Sequence, residues 1–165
     1  MVTEAVAELK GEVPREPAEV KLDLPVHANL PKDYVSREEL RLEAYRRLAA
    51  VTTEAEVDDI RAEWVDRYGP VPIPAEALLS VARLRAECAR TGVRELSVAK
   101  NVARILPLRL KTSQTMRLAR LAKGAVYKED LAQVVVPLRP GTDPAPFLVD
   151  LLRQLVDQQV ASPPP

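Results

Sequence analysis

Four carboxylates, Glu56, Asp59, Glu63 and Asp66, recur at positions i, i+3, i+7 and i+10. On an α-helix, at ~100° per residue, they fall within about 80° of arc, away from the face that carries Ile60 and Trp64. Like charges in such a row repel by a few tenths of a kcal/mol per pair, and Arg67, four residues after Glu63, relieves one position. Two readings stand open. The row is either a solvated helix face or a docking surface for a basic partner, where charges set specificity and association rate more than affinity. A second set, Lys111, Arg117, Arg120 and Lys123, is basic, with Arg117 and Arg120 on one face at i, i+3. No aromatic side chains interleave with it to stack bases, so it reads as solvated charge ahead of a nucleic-acid surface.

Other chemistries lack their parts. Five scattered glycines form neither a G-x-x-x-x-G-K-[ST] nor a G-x-G-x-x-G phosphate loop. A helix start at Thr112-Ser113 offers free N–H groups to an anion, but simple capping explains it as well. Zinc needs clustered Cys, His or carboxylate ligands, whereas the single cysteine, Cys88, and the single histidine, His27, lie far apart in sequence. Asp58 and Asp59 point ~100° apart on a helix and do not converge on one ion. Cys88 shares an apolar stripe with Val81 and Leu84 and reads as a small core residue. His27 follows a strand with nothing nearby to orient it as a base. No catalytic residue, metal ligand or cofactor site is expected.

Composition sets the outer bounds. The 165 residues suit one domain with a real core. Twenty-four basic and 24 acidic residues give zero formal charge, without the basic excess that phosphate binding favours. One cysteine excludes an internal disulfide and fits a reducing compartment. No apolar run approaches the ~20 residues of a membrane span, and the first residues have no signal-peptide pattern. A cytoplasmic, monomeric domain is expected.

The elements that must position these residues follow from periodicity. Val2, Ala5, Val6 and Leu9 form a narrow helical stripe ahead of a proline-containing linker, so residues 1–18 read as a helix remnant and linker from a preceding domain. Residues 19–158 form the main domain, and 159–165, ending in three prolines, a disordered tail. Glu19–Leu24 alternates as a half-buried strand. Ser36 opens an S-x-x-E box before a helix to about Ala50 that buries Leu40, Ala44, Tyr45 and Leu48. Thr53 and Glu56 form a second box, before a helix with Val57, Ile60, Trp64 and Tyr68 on one face, ending at Gly69. A third helix, from about Ala75 to Arg90, presents Ala77, Leu78, Val81, Leu84 and Cys88. Beyond Gly92 come strands over Val93–Val98 and Val102–Leu106 around an Ala99-Lys100-Asn101 turn. A helix capped by Thr112 or Ser113 runs to Ala122. Strands over Val126–Lys128 and Ala132–Leu138 follow, the Val134-Val135-Val136 run suggesting burial on both faces. Asp143-Pro144 starts a final helix whose wide stripe holds Phe147, Leu148, Leu151, Leu152, Leu155 and Val156. The sum is an α+β fold, helical first and then a small, largely antiparallel sheet with packed helices.

One stretch also carries a resemblance. Leu24-Pro25-Val26, Leu30-Pro31, Asp33-Tyr34-Val35, Arg41-Leu42, Tyr45-Arg46-Arg47-Leu48-Ala49 and Asp66-Arg67-Tyr68-Gly69-Pro70-Val71-Pro72 stand in the order found in the C-terminal module of the bacterial transcription-repair coupling factors. The chain resembles that module from Val20 to about Val156, most specifically from Leu24 to Leu84. The resemblance implies a parent that is an ATP-dependent DNA translocase, with its helicase motifs upstream, that removes stalled RNA polymerase and recruits nucleotide excision repair. It implies a non-catalytic, autoinhibitory module that folds onto an N-terminal, repair-helicase-like module of the same protein and covers the surface for the damage-recognition ATPase. Glu63 and Asp66 are then the expected contacts, with Asp59 and Arg67 in support. Two alternatives are a protein-interaction adaptor for RNA polymerase or another factor, and an accessory DNA-binding module using the Arg117-Arg120 helix.

Overall fold

The computed structural model describes residues 20–156; the expected N-terminal helix remnant and C-terminal tail lie outside them. The described residues form β1 (Lys21–Asp23), α1 (Glu38–Ala49), α2 (Glu54–Tyr68), α3 (Ile73–Thr91), β2 (Glu95–Ala99) and β3 (Val102–Leu106). They continue with α4 (Thr112–Leu121), β4 (Val126–Lys128), a 3-10 turn (Glu129–Leu131), β5 (Gln133–Pro137) and α5 (Pro144–Leu155). The strands make one sheet in the order β1-β2-β3-β5-β4. All neighbours are antiparallel except β1 and β2, which run parallel. This is the expected α+β arrangement, with β1 drawn into the sheet across the whole helical segment.

Two apolar clusters organise the molecule. In the larger, Leu96, Val98, Ala103, Ile105, Val134 and Val136 from one face of the sheet meet Leu84 and Cys88 of α3, Leu118 of α4, and Leu148, Leu152 and Leu155 of α5. Alternation along the strands puts every second residue into this core. Val135, between two buried valines, is only half-buried, so β5 is covered fully on one face and partly on the other. The β2–β3 hairpin turns through Lys100 (φ 53°) and Asn101 (φ 61°), the paired positive φ angles of a turn whose twist matches the strands.

The smaller cluster is helical: Leu30 and Val35 from the loop after β1, Leu48 of α1, Val57, Ile60 and Trp64 of α2, and Ala75, Leu79 and Ala82 of α3. α3 thus serves both clusters, its first half one and its second half the other. That corrects its expected single stripe: Leu79, Ala82, Ala86 and Glu87 are buried, while Ala77, Leu78 and Val81 are half-buried. α3 also begins two residues early. Pro72 is its N-cap and Pro74 lies in the first turn, where a missing N–H costs nothing.

Helix α1 departs furthest from expectation. Its N-cap is Arg37, not Ser36, and no side chain caps it; instead Arg41 donates from Nη1 to the carbonyls of Val35 and Ser36, at 2.8 and 3.1 Å. The helix buries Leu48, leaves Leu40 and Ala44 half-buried, and exposes Tyr45. The Tyr45 hydroxyl accepts from the Leu30 N–H at 2.9 Å, which holds the ring at the rim. Lys111, not Thr112 or Ser113, is the N-cap of α4, and its N–H donates to Gln114 Oε1 at 2.7 Å. Asp143 takes the N-cap position of α5 with Pro144 first in the helix, without a side-chain capping bond.

Candidate functional site

Helix α2 displays the acidic row, and its rigidity is local in origin. Thr53 Oγ1 accepts from the Glu56 N–H at 3.2 Å, and Glu56 Oε1 accepts from the N–H groups of Thr53 and Thr52 at 3.1 and 2.7 Å. The reciprocal box satisfies donors that a helix start leaves open. It also commits Glu56, whose carboxyl those N–H groups, Thr52's first, hold below its ordinary range. Val57, Ile60 and Trp64 anchor the inner face.

The four carboxylates are not equivalent. Glu63 accepts from Arg47 Nη1 of α1 at 2.8 Å and from Arg67 Nη1, one turn on, at 3.2 Å. Arg47 first, with Arg67 in support, holds the Glu63 carboxyl below the usual carboxylate range against the opposing effect of burial. Its charge is answered inside the chain. Asp59 and Asp66 are exposed and have no hydrogen bond or ion pair among the described residues. Asp59 borders a shallow groove of ≈ 280 Å³ with Arg47, Ala50, Val51, Glu56 and Ile60. Asp58 turns the other way, to Arg83 of α3.

The far end of α2 is tied by aromatic contacts. The Arg67 guanidinium lies 5.3 Å from the centre of the Tyr68 ring. Tyr68 meets Tyr34 edge-on, with centroids 5.5 Å apart. Tyr34 donates its hydroxyl to the carbonyls of Gly69 and Trp64, at 2.8 and 3.3 Å. Gly69 has φ 93°, a conformation glycine adopts without a Cβ penalty. Arg47 and Tyr34 were not legible as site residues. Both lie in sequence blocks that carried the resemblance, but nothing in α1's periodicity pairs Arg47 with a residue on α2.

The remaining candidates fall elsewhere. Arg117 donates from Nη1 to the Gln154 carbonyl at 2.9 Å, tying α4 to the end of α5. Cys88 is buried, and burial pushes its thiol up to about 12, so it stays protonated. His27 is exposed. Among the described residues no three His, Cys, Asp or Glu side chains are placed to hold a metal ion, and no helix is long and apolar enough to cross a membrane. The α2 face offers two uncompensated carboxylates on a capped helix, flanked by an internal Arg–Glu–Arg ladder. That arrangement suits recognition of cationic groups through charge-assisted hydrogen bonds.

Comparison with known proteins places this face in context. The family model described as the TRCF domain matches residues 24–118, which include all of α1 and α2. The transcription-repair-coupling factor of Mycobacterium tuberculosis (strain CDC 1551 / Oshkosh) is 43% identical over 146 residues, covering 86% of this chain and 12% of that protein. That of Escherichia coli (strain K12) is 41% identical over 78 residues, 47% of this chain and 7% of its own length. The chain thus spans about an eighth of the mycobacterial relative. A crystal structure of the C-terminal domain of a transcription-repair coupling factor superposes with a TM-score of 0.70 at 16% identity, covering 84% of this chain and 94% of that one; at that identity it speaks for the fold.

Proposed function

The chain belongs to the TRCF domain family, and on that footing we propose that it is a non-catalytic regulatory domain of a transcription-repair coupling translocase. It docks onto the N-terminal, repair-helicase-like module of the same protein and masks the surface that recruits the damage-recognition ATPase of nucleotide excision repair. The observation that carries this reading is the pair Asp59 and Asp66, exposed and unpaired among the described residues on a helix capped at both ends. Seven residues at 1.5 Å each separate them by about 10 Å along one face. Cations on the partner surface meet short side chains carried on a backbone that is already ordered, so no backbone entropy is lost at this face on docking. Glu63 and Arg67 support the face from within, Glu63 through its two arginines.

A mask of this kind acts by population shift, binding the closed state better than the open one. A coupling of about 1–3 kcal/mol suits a latch that must also release. Two measurements test the reading. Titration calorimetry of the chain against the separately expressed N-terminal module is expected to give weak binding that fades as salt rises, because exposed charges are screened within about 10 Å at 0.1 M. Equal affinity at low and high salt rejects the electrostatic account. In the full-length protein, Asp59→Lys with Asp66→Lys is expected to raise capture of the repair ATPase about tenfold; unchanged capture removes these residues from the latch.

A further inference from the structure

We propose that Tyr34 is a positioning residue for the docking face, setting the last turn of α2 through its hydroxyl and thereby the placement of Arg67 and Asp66. The inference rests on the docking role argued above but reaches a residue outside the acidic row. It starts from how the end of α2 is held. The end of a helix leaves its last carbonyls without intrahelical partners, and the segment after α2 reads Gly69-Pro70-Val71-Pro72. Two of those four residues have no N–H. Gly69 N–H is used on the Val65 carbonyl, at 3.0 Å. Tyr34, reaching in from the loop before α1, donates its hydroxyl to the Gly69 carbonyl just past the helix and, at longer range, to the Trp64 carbonyl one turn back, so that it bridges the two ends of the last turn.

The same residue orders the side chains around it. Its ring stands against the edge of Tyr68, at 62° between planes. Tyr68 in turn carries the Arg67 guanidinium over its face. Arg67 then reaches Glu63, and Glu63 reaches Arg47 across to α1. Each link fixes the next: donor to carbonyl, ring to ring, ring to cation, cation to carboxylate. Asp66 sits inside this turn and has no partner of its own among the described residues, so its direction is set by the backbone that Tyr34 holds.

The test is Tyr34→Phe, which keeps the ring and deletes the donor. In the free chain, the Glu63 midpoint read by carboxyl NMR is expected to rise toward the ordinary glutamate value as Arg67 loosens. A Glu63 midpoint equal to wild type overturns the proposal, whether or not the chain binds anything. Binding to the separately expressed N-terminal module, at a temperature where both forms are fully folded, is expected to weaken about five- to tenfold, the loss of roughly one hydrogen bond. In an Asp66→Asn background the same change is expected to have little further effect, since coupled residues do not add. A tyrosine that merely stabilised the fold would lower the melting temperature and leave affinity and its coupling to Asp66 unchanged; that outcome also overturns the proposal. Absence of any wild-type binding rejects the docking role and leaves Tyr34 to be judged on the Glu63 midpoint.

Discussion

Helices α1 and α5 have the same length, 12 residues each, and opposite fates. Seven residues of α5 are buried: Pro144, Ala145, Leu148, Val149, Leu151, Leu152 and Leu155. In α1 Leu48 alone is classed as buried, and Leu42 is 53% exposed. α5 is held by apolar area removed from water. α1 is held by polar ties: Arg47 to Glu63, Arg41 to two loop carbonyls, and Tyr45 to the Leu30 N–H. The Arg47–Glu63 pair is substantially exposed, and such pairs contribute little each, so α1 is expected to open more easily than α5. On the proposed reading, the domain carries its docking face beside a lightly packed helix and so separates what keeps it folded from what it presents.

The largest test of that separation is a pair of truncations. Leu152→Ala, at a fully buried site, is expected to cost about 2–5 kcal/mol by urea denaturation, transfer and cavity terms together. Leu42→Ala is expected to cost less than about 0.5 kcal/mol, as surface changes do. Comparable losses at the two sites would erase the contrast between the layers.

How much of this contrast the residues announced depends on its range in sequence. The wide stripe of α5, the Thr53–Glu56 box, the Gly69 stop and the Lys100-Asn101 turn are local signals, and each appears where expected. What needed distant partners was not legible. The second buried face of α3 exists because α2 and α5 approach it from different sides. The thin burial of α1 reflects how little packs against it, which no periodicity reveals. The acidic row was visible as spacing, but its division into answered and open charges was not. Arg47, 16 positions from Glu63, decides that division, and only the packing of α1 on α2 brings it there.

A joint between the two layers sharpens the comparison through pH. Glu87 of α3 is the charged side chain classed as buried among the described residues. It accepts from Arg90 at 2.8 Å, while Glu54 of α2 accepts from Arg153 of α5 at 2.5 Å. Burial, with Glu54 alongside, raises the Glu87 carboxyl above its ordinary range despite Arg90. At Glu54 burial opposes ionisation, but bonds from Glu87 and Arg153 outweigh it and the carboxyl is lowered. A raised folded pKa gives a contribution fully present below the unfolded value, near 4.3, and lost as pH rises through the folded value. Glu87→Gln is therefore expected to flatten the fall in stability between the carboxylate range and neutrality. The gap is on the order of one hydrogen bond, about 1 kcal/mol, measured by denaturation at a series of pH values. Parallel curves for the two forms would mean that burial at the joint exacts no charge penalty.

The smallest effect lies on the proposed docking face and has the opposite sign. The Glu63 carboxyl is lowered, first by Arg47 and then by Arg67. Its contribution is present above the unfolded pKa and lost as pH falls through the folded one. Glu63→Gln is accordingly expected to cost less than about 0.5 kcal/mol at neutral pH, since both pairs are substantially exposed, with the gap closing on acidification. Hydrogen exchange locates that loss: α1 amides are expected to exchange faster in Glu63→Gln, while α5 amides keep their wild-type protection. Asp66→Asn, which removes a carboxylate unpaired among the described residues, is expected to change neither. If α5 loosened together with α1, the ion pair would be coupled to the whole fold, and the two layers would be one cooperative unit. If α1 alone responds, Glu63 is the tie that keeps a lightly packed helix beside the face it helps to shape, and Asp66 remains open for a partner.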